Sequence, residues 1–349
     1  MFLSIIILAH NKHQLTGKCL QALNDSELAE KYEIILVDNA SIPSLSSSLS
    51  QKILNISGCI IIRNEENLSF SKANNIAVSR ASGKYLLFLN NDVAVKKDTL
   101  VKLLSSWTEE SVIGGKLLYP NSNLIQHAGI SHMLWGLGSN FGTGANHKET
   151  SLNLKRNTFA VTGALMLTTK IFFEEIGGFD EAFSWGYEDI DFCLKAKQKK
   201  ARIIYEPNAE ATHCESATLN EKRNLNFDSH RKNYGYFWQK WGHYLLPHEE
   251  AYISKLRKKS SKFNVFGTGK AALALYEKII GHSIEVEYFI TDHLEDLDIK
   301  DLPRPMMHLD KLSIHDYPLL IGSQFYYDIF PRLARYLPKS KIIFPIVIP

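Results

Sequence analysis

Short runs of β-branched and other apolar residues alternate with stretches of helical spacing over the first hundred positions. Residues 4–8, 33–37, 59–62 and 85–89 read as strands, and 15–23, 45–54 and 71–81 carry apolar residues at helical spacing. Strand and helix in turn, joined by short links, predict a parallel sheet covered on both faces. The near-continuous apolarity of the strands fits burial from both sides. From Gly114 to about Thr158 the pattern loosens into loops and short antiparallel pieces, with frequent glycine. Order returns with 159–167 as a strand, 170–176 as a short helix, 189–199 as a helix and 203–205 as a strand. Residues 230–262 read as helical and broken near Pro247.

The pattern then restarts. Residues 263–266 read as a strand, Gly267-Thr268-Gly269 as a turn and 270–280 as a helix. Further strands are expected at 286–290, 319–321 and 342–344, with 326–337 helical. This is a second, smaller α/β unit, and Ser260-Ser261 marks the boundary. The expected division is 1–245, a helical linker 246–261, and 262–349. A chain of 349 residues fits two domains. With 45% hydrophobic and 22% charged residues, disorder and fibrous repeats are excluded. A net charge of +3 gives no field that calls for nucleic acid. Cys19, Cys59, Cys193 and Cys214 form no CxxC pair and suit a reduced, cytoplasmic protein. No apolar run reaches the ~18 residues of a membrane span. The apolar opening has no basic leader or cleavage site, so it reads as a first strand, not a signal peptide.

Polar residues collect where the strands end. The first ends in Ala9-His10-Asn11, the second in Asp38-Asn39-Ala40-Ser41 and the fourth in Asn90-Asn91-Asp92. One such Asp could simply cap the next helix. Three strand ends loaded with Asn and Asp point to a shared ligand site at the carboxyl edge of the sheet. Asn90-Asn91-Asp92 suits a tight turn, and equally a hard divalent cation that keeps open positions for phosphate. Farther on, Glu188, Asp189 and Asp191 crowd a helix start. They could favour the positive end of its dipole, or supply a general base whose pKa is tuned by burial and neighbouring acids. His213, alone after Pro207, names no role by itself.

Taken in order, these motifs resemble family 2 glycosyltransferases. Residues 4–11, Val37-Asp38-Asn39-Ala40-Ser41, then Asn67, Phe70 and Asn74-Asn75 look like the family's opening. Leu89-Asn90-Asn91-Asp92-Val93 is similar to its metal and diphosphate motif. Thr162-Gly163-Ala164 and Gly177-Gly178-Phe179-Asp180-Glu181 are similar to its acceptor-side segment. Residues 188–193, through Pro207 to His213, resemble the stretch holding the catalytic base and last metal ligand. The match spans about residues 3–245. It implies an α/β GT-A fold and inverting transfer from a nucleotide sugar, a UDP-sugar first and dTDP-rhamnose next, to a glycan or lipid-linked acceptor in surface polysaccharide assembly.

Carried over position by position, Asp38 would meet the nucleobase, with Ala9 and His10 lining its pocket. Asn11, Asn39, Asn67, Asn75, Asn90, Asn91 and Asp92 would complete the donor site. Gly163, Ala164 and Trp185 would face the acceptor. Asp92 and His213 would hold Mn²⁺ or Mg²⁺, and Asp189 would be the base, with Glu188 beside it. Three positions depart from the family pattern. Asn90 stands where many relatives have Asp, Ser69 where Gly is usual, and Lys200 at a common helix-ending Gly. The alternative on the same scaffold is a nucleotide-sugar or glycan-binding protein with little turnover. The intact Asp189, Asp92 and His213 favour the enzyme.

Two segments stay open. Val265-Phe266-Gly267-Thr268-Gly269-Lys270-Ala271-Ala272, with Asp292 ending the next strand, resembles the start of a Rossmann-like domain. Such a turn can bind phosphate, or be a tight turn in a structural or partner-binding unit, including one that forms a homo-oligomer. No catalytic Tyr/Lys or Cys/His set accompanies it. In 231–262, Tyr234, Tyr236, Phe237, Trp238, Trp241 and Tyr244 interleave with bases. They suit either peripheral contact with the inner face of a membrane or simple packing of a helix.

Overall fold

The computed structural model describes residues 2–28, 31–49, 59–184, 186–214, 226–293, 302–313, 315–323 and 325–347. It divides into two compact units, Met1–Ile130 with Asn146–Lys240 and Ser131–Ala145 with Trp241–Pro349.

Strands run along the chain as β1 (Leu3–Ala9), β2 (Tyr32–Asn39), β3 (Cys59–Asn64), β4 (Tyr85–Asn90), β5 (Val93–Val95), β6 (Ser111–Leu118) and β7 (Ile125–His127). They continue with β8 (Ile130–Met133), β9 (Gly136–Asn140), β10 (Arg156–Asn157), β11 (Leu165–Thr169) and β12 (Arg202–His213). The first unit's sheet has the order β10-β12-β6-β11-β4-β1-β2-β3, with β5 on β12 and β7 on β6. Its β3-β2-β1-β4 half is parallel, as the alternation predicts. The other half is mixed, because β11 runs antiparallel between β4 and β6.

The β1 sequence Leu-Ser-Ile-Ile-Ile-Leu-Ala is buried along almost its whole length. Burying each of its isoleucines contributes about 1.5–3 kcal/mol. Ser4 is buried as well, and its hydroxyl donates to Glu33 on β2 at 2.5 Å. The same Glu33 oxygen also accepts from the Ser82 amide and hydroxyl, so three donors offset the burial of this acid inside a strand. Helices α1 (His13–Asn24), α2 (Leu45–Ser48) and α3 (Phe70–Arg80) follow the first three strands. Ser69 N-caps α3, its Oγ accepting from the Lys72 amide at 3.3 Å. The serine at this position therefore closes the helix end.

Sequence expectation and structure part at three places in this unit. Residues 111–118 form a fully buried strand that runs into the stretch from Gly114 on, where loops and short antiparallel pieces were expected. Gly114 and Gly115 lie inside it and allow close approach. A Cβ on Gly114 would stand 2.5 Å from the Val161 Cβ, and one on Gly115 would stand 2.3 Å from the Ala209 carbonyl oxygen. The strand expected at 159–167 begins instead at Leu165, since 162–164 turn sharply. The strand expected at 203–205 runs to His213, passing Pro207 through a register shift between Glu206 and Glu210. Beyond α4 (Thr99–Ser105) and α5 (Lys170–Glu175), helix α6 (Glu188–Gln198) ends at Lys200 with φ 64°. The Ala201 amide there bonds the Ala196 carbonyl at 3.0 Å, a left-handed cap without its usual glycine.

Helix α7 (Asn226–Lys259) runs unbroken through Pro247. Leu245, Ile253 and Leu256 bury one face of it, which outweighs the proline's missing amide. Residues 131–145, expected in the first domain, belong with the C-terminal chain. Met133 pairs with Ile346, and the Leu134 amide bonds the Pro345 carbonyl at 3.0 Å. The second unit's strands β13 (Lys262–Phe266), β14 (Glu285–Thr291), β15 (Met306–His308), β16 (Leu319–Ile321) and β17 (Ile342–Ile343) form a parallel sheet, and β18 (Ile346–Val347) pairs with β8. Its order β15-β14-β13-β16-β17 reverses direction at β13, as in doubly wound folds. Helices α8 (Lys270–Ile280) and α9 (Tyr326–Leu333) cover it. A cavity of about 450 Å³ opens where β13 and β16 end, lined by Gly267, Gly269, Asp292, Gly322 and Arg332 among others.

Candidate active site

The carboxyl ends of β1 and β2 form one hydrogen-bonded knot. His10 Nδ1 donates to the Asn39 carbonyl at 2.7 Å, so Nε2 accepts from the Asn11 side chain at 3.2 Å. Asn11 Oδ1 accepts from the Ile42 amide, and the Asn11 amide donates to Ser41 Oγ. Asn39 is saturated by Asn64, Asn67 and both backbone groups of Leu68. Asp38 accepts from the Ser41 and Leu45 amides and from Arg63 at 2.5 Å. Burial works against its charge, yet the Leu45 and Ser41 bonds and the Arg63 guanidinium hold it below the usual carboxylate range.

The structure thus brings Ala9, His10, Asn11, Asp38, Asn39 and Asn67 together. Asp38, Asn39 and Asn67 build the walls through protein partners. Arg63, whose side chain is half exposed, was not singled out from sequence. The parallel register that sets Asp38 opposite Arg63 is the signal that could have found it. Asn75 lies elsewhere: its side-chain amide clasps both backbone groups of Phe179 and the Glu181 carboxylate.

Asp92 and His213 meet because of strand register. β5 pairs antiparallel with β12, setting Val93 opposite His213, and Asp92 is one residue earlier. Asp92 Oδ1 and His213 Nε2 lie 3.2 Å apart, both largely buried. The other ring nitrogen, Nδ1, meets Gln126 Oε1 at 2.7 Å. Two ligands on adjacent corners of an octahedron with ~2.1 Å bonds stand ~3.0 Å apart, so the pair fits a divalent cation. Among the described residues no third His, Cys, Asp or Glu completes a cluster. Asn91 donates to Thr16 on α1, and the Asn90 amide donates to the Ala164 carbonyl.

The acids at the start of α6 separate by environment. Asp191 is buried and ion-paired with Lys240 at 2.7 Å and Lys195 at 3.5 Å. Lys240 also holds Asp180. Asp189 Oδ2 accepts from the Gly163 amide at 3.2 Å and Oδ1 from the Ile190 amide at 2.8 Å. Glu188 Oε2 has no hydrogen-bond partner among the described residues. Burial first, and then the Asp189 carboxylate, push Glu188 up to about 8, while burial also raises Asp189. Asp189 takes donors from Gly163, Ile190 and Thr162 that stabilise its charge, whereas Glu188 has only backbone bonds from Gly186 and its own amide. The shared proton therefore resides on Glu188 at neutral pH, leaving Asp189 ionised.

One turn serves both centres. Gly163 donates to Asp189, and Ala164 accepts from Asn90, next to the Asp92 strand end. Gly163 sits tightly against the Phe70 ring: a Cβ there would lie 3.0 Å from it, and the ring would have to give way. Trp185 lies outside the described residues. In α7, Phe237 and Trp241 are buried, and Phe237 meets Phe183 and Tyr187. These two aromatics are spent on packing. No helix among the described residues is long and apolar enough to cross a membrane.

The model described as glycosyl transferase family 2 matches residues 4–177, and that described as N-terminal domain of galactosyltransferase matches 145–217. The chain is 29% identical over 227 residues to the uncharacterized protein y4gI of Sinorhizobium fredii, covering 62% of this chain and 24% of that one. It is 30% identical over 215 residues to the O-antigen biosynthesis protein RfbC of Myxococcus xanthus, covering 57% and 16%. It thus spans a quarter or less of the length of these two relatives. With the rhamnosyltransferase WbbL of Escherichia coli K12 it shares 27% over 226 residues, covering 60% and 82%. The crystal structure of GalNAc-T7 with UDP, GalNAc and Mn²⁺ matches with a TM-score of 0.52 at 20% identity, over 61% of this chain and 44% of that chain. That likeness speaks for a shared fold. Through its first unit, the chain belongs to the family 2 glycosyltransferases, enzymes of the GT-A fold.

Proposed function

We propose that the chain moves a sugar from a nucleotide-diphosphate donor to a hydroxyl of a glycan or lipid-linked acceptor in surface polysaccharide assembly, inverting the anomeric carbon. The observation that supports this most is the 162–164 turn, which ties the ionised Asp189 and the Asp92 strand end into one frame. In a single displacement, the acceptor oxygen bonds to the anomeric carbon as the bond to the diphosphate oxygen breaks. Asp189 takes the acceptor's proton. General-base help of this kind is worth ~10²–10⁴-fold.

Asp92 and His213 would hold a divalent cation, which when bound offsets negative charge on the departing diphosphate. The strand-end knot around Asp38 and Asn39 would shape the nucleoside pocket, and the exposed Arg63 would edge it. A UDP-sugar is the first donor to test, given the UDP and Mn²⁺ in the GalNAc-T7 structure. dTDP-rhamnose is the second, given the rhamnosyltransferase relative. A screen of nucleotide sugars for slow hydrolysis, with Mn²⁺ and with EDTA, tests the reading without an acceptor. Release of nucleotide diphosphate from one donor, with Mn²⁺ only, is expected. No release from any donor by a folded protein would favour a binding role.

A further inference from the structure

We infer that Gln126 is a positioning residue that fixes the tautomer of His213 so that Nε2 faces Asp92 as a lone-pair donor. The inference rests on the cation reading of Asp92 and His213 and assigns a role to a residue outside every motif of the chain. Gln126 is buried on β7, and its side-chain amide touches His213 twice. Nε2 donates to the His213 backbone carbonyl at 3.3 Å, and Oε1 faces His213 Nδ1 at 2.7 Å.

The first contact decides the second. A carbonyl oxygen can only accept, so the amide's NH₂ end must point at it, and Oε1 must point at the ring. Oε1 in turn can only accept, so Nδ1 carries a proton. In the neutral imidazole the proton is then absent from Nε2, which presents its lone pair to Asp92 Oδ1 at 3.2 Å. Two acceptors face each other at that distance. A cation between them resolves the repulsion, and that is the arrangement a metal ligand pair needs before the metal arrives. Without Gln126, the neutral ring would turn its proton to Nε2 and donate it to Asp92, closing the pair to a cation. Partners that hold a ligating histidine in this way typically govern metal affinity by ~10–100-fold.

The test uses the full chain, with Gln126→Met, which keeps length and removes both hydrogen bonds, and Gln126→Glu, which keeps an acceptor for Nδ1. ¹⁵N shifts of His213 in metal-free protein read the tautomer, and calorimetry reads Mn²⁺ affinity in the presence of UDP. Expected are an Nδ1–H tautomer in wild type and Gln126→Glu, and a shift to Nε2–H with at least ~10-fold weaker Mn²⁺ binding in Gln126→Met. A purely structural role would lower the melting temperature of Gln126→Met and leave the tautomer and the Mn²⁺ affinity of the folded protein unchanged. That result overturns the inference while the cation reading stands. If wild type binds both UDP and dTDP equally with Mn²⁺ and with EDTA, the cation reading itself falls, and the inference with it.

Discussion

Replacing Glu188 by Gln tests which of two adjacent carboxylates is ionised. Folding raises Glu188 from 4.5 to about 8, through burial and then through Asp189. An acid raised by folding binds its proton more tightly in the native state. Its contribution to stability is therefore complete below the unfolded value and is lost as pH rises through about 8. At ~1.4 kcal/mol per tenfold change in proton affinity, half of that rise is worth ~2 kcal/mol. Glutamine mimics the protonated acid and cannot ionise, so Glu188→Gln should escape this loss. Urea denaturation of both proteins at pH 6 and pH 9 reads the effect. The wild type should fall by ~2 kcal/mol more than the variant between the two pH values, other titrating groups cancelling in the difference. Turnover at pH 7 should stay within a few-fold of wild type in Glu188→Gln, and fall ~10²-fold or more in Asp189→Asn. Equal pH dependences, or collapse of turnover in Glu188→Gln alone, would refute the assignment and make Glu188 the base.

Lys200→Gly should stabilise the protein by ~1 kcal/mol by relieving a left-handed lysine at the end of α6, with turnover unchanged; thermal melting checks it. Gly114→Ala should cost ~1–3 kcal/mol, because its Cβ meets the Val161 Cβ at 2.5 Å, as urea titration would show. Lys240→Met should cost about 3 kcal/mol by removing the closer of two lysines from the buried Asp191, read by the same titration.

Much of the first unit is legible in sequence because its strands are buried on both faces and its helices are amphipathic. The strand-end clusters at 9–11, 38–41 and 90–92 are legible for the same reason: a polar triplet directly after a buried strand stands out. What the sequence hides is long-range. The need for glycine at 114 and 115 shows only once Val161 and Ala209 arrive from elsewhere in the chain. Pro207 and Pro247 look like stops, yet a register shift accommodates one and a buried helix face the other. Residues 131–145 join the second unit through a pairing with β18 that no local pattern announces. The site shows the same division. Motif order brought out Asp92, Asp189 and His213, whereas two of the partners beside these acids and this histidine lie outside the motifs and a third, Gly163, was read only as facing the acceptor. Gln126 meets His213, Gly163 donates to Asp189, and Lys240 pairs with Asp191.

In the function proposed, Asp92 and His213 form a cation site shared with the donor diphosphate. With a single carboxylate in the pair, the diphosphate must supply much of the remaining negative charge, so cation and nucleotide should tighten each other by the same factor. Calorimetric titration of UDP, with dTDP in parallel, into wild type and His213→Ala, each with Mn²⁺ and with EDTA, measures this. Mn²⁺ should strengthen binding of one nucleotide diphosphate to wild type at least ~10-fold, and His213→Ala should lose that gain while its binding in EDTA is unchanged. Equal affinity with Mn²⁺ and with EDTA for both nucleotides in wild type would contradict it.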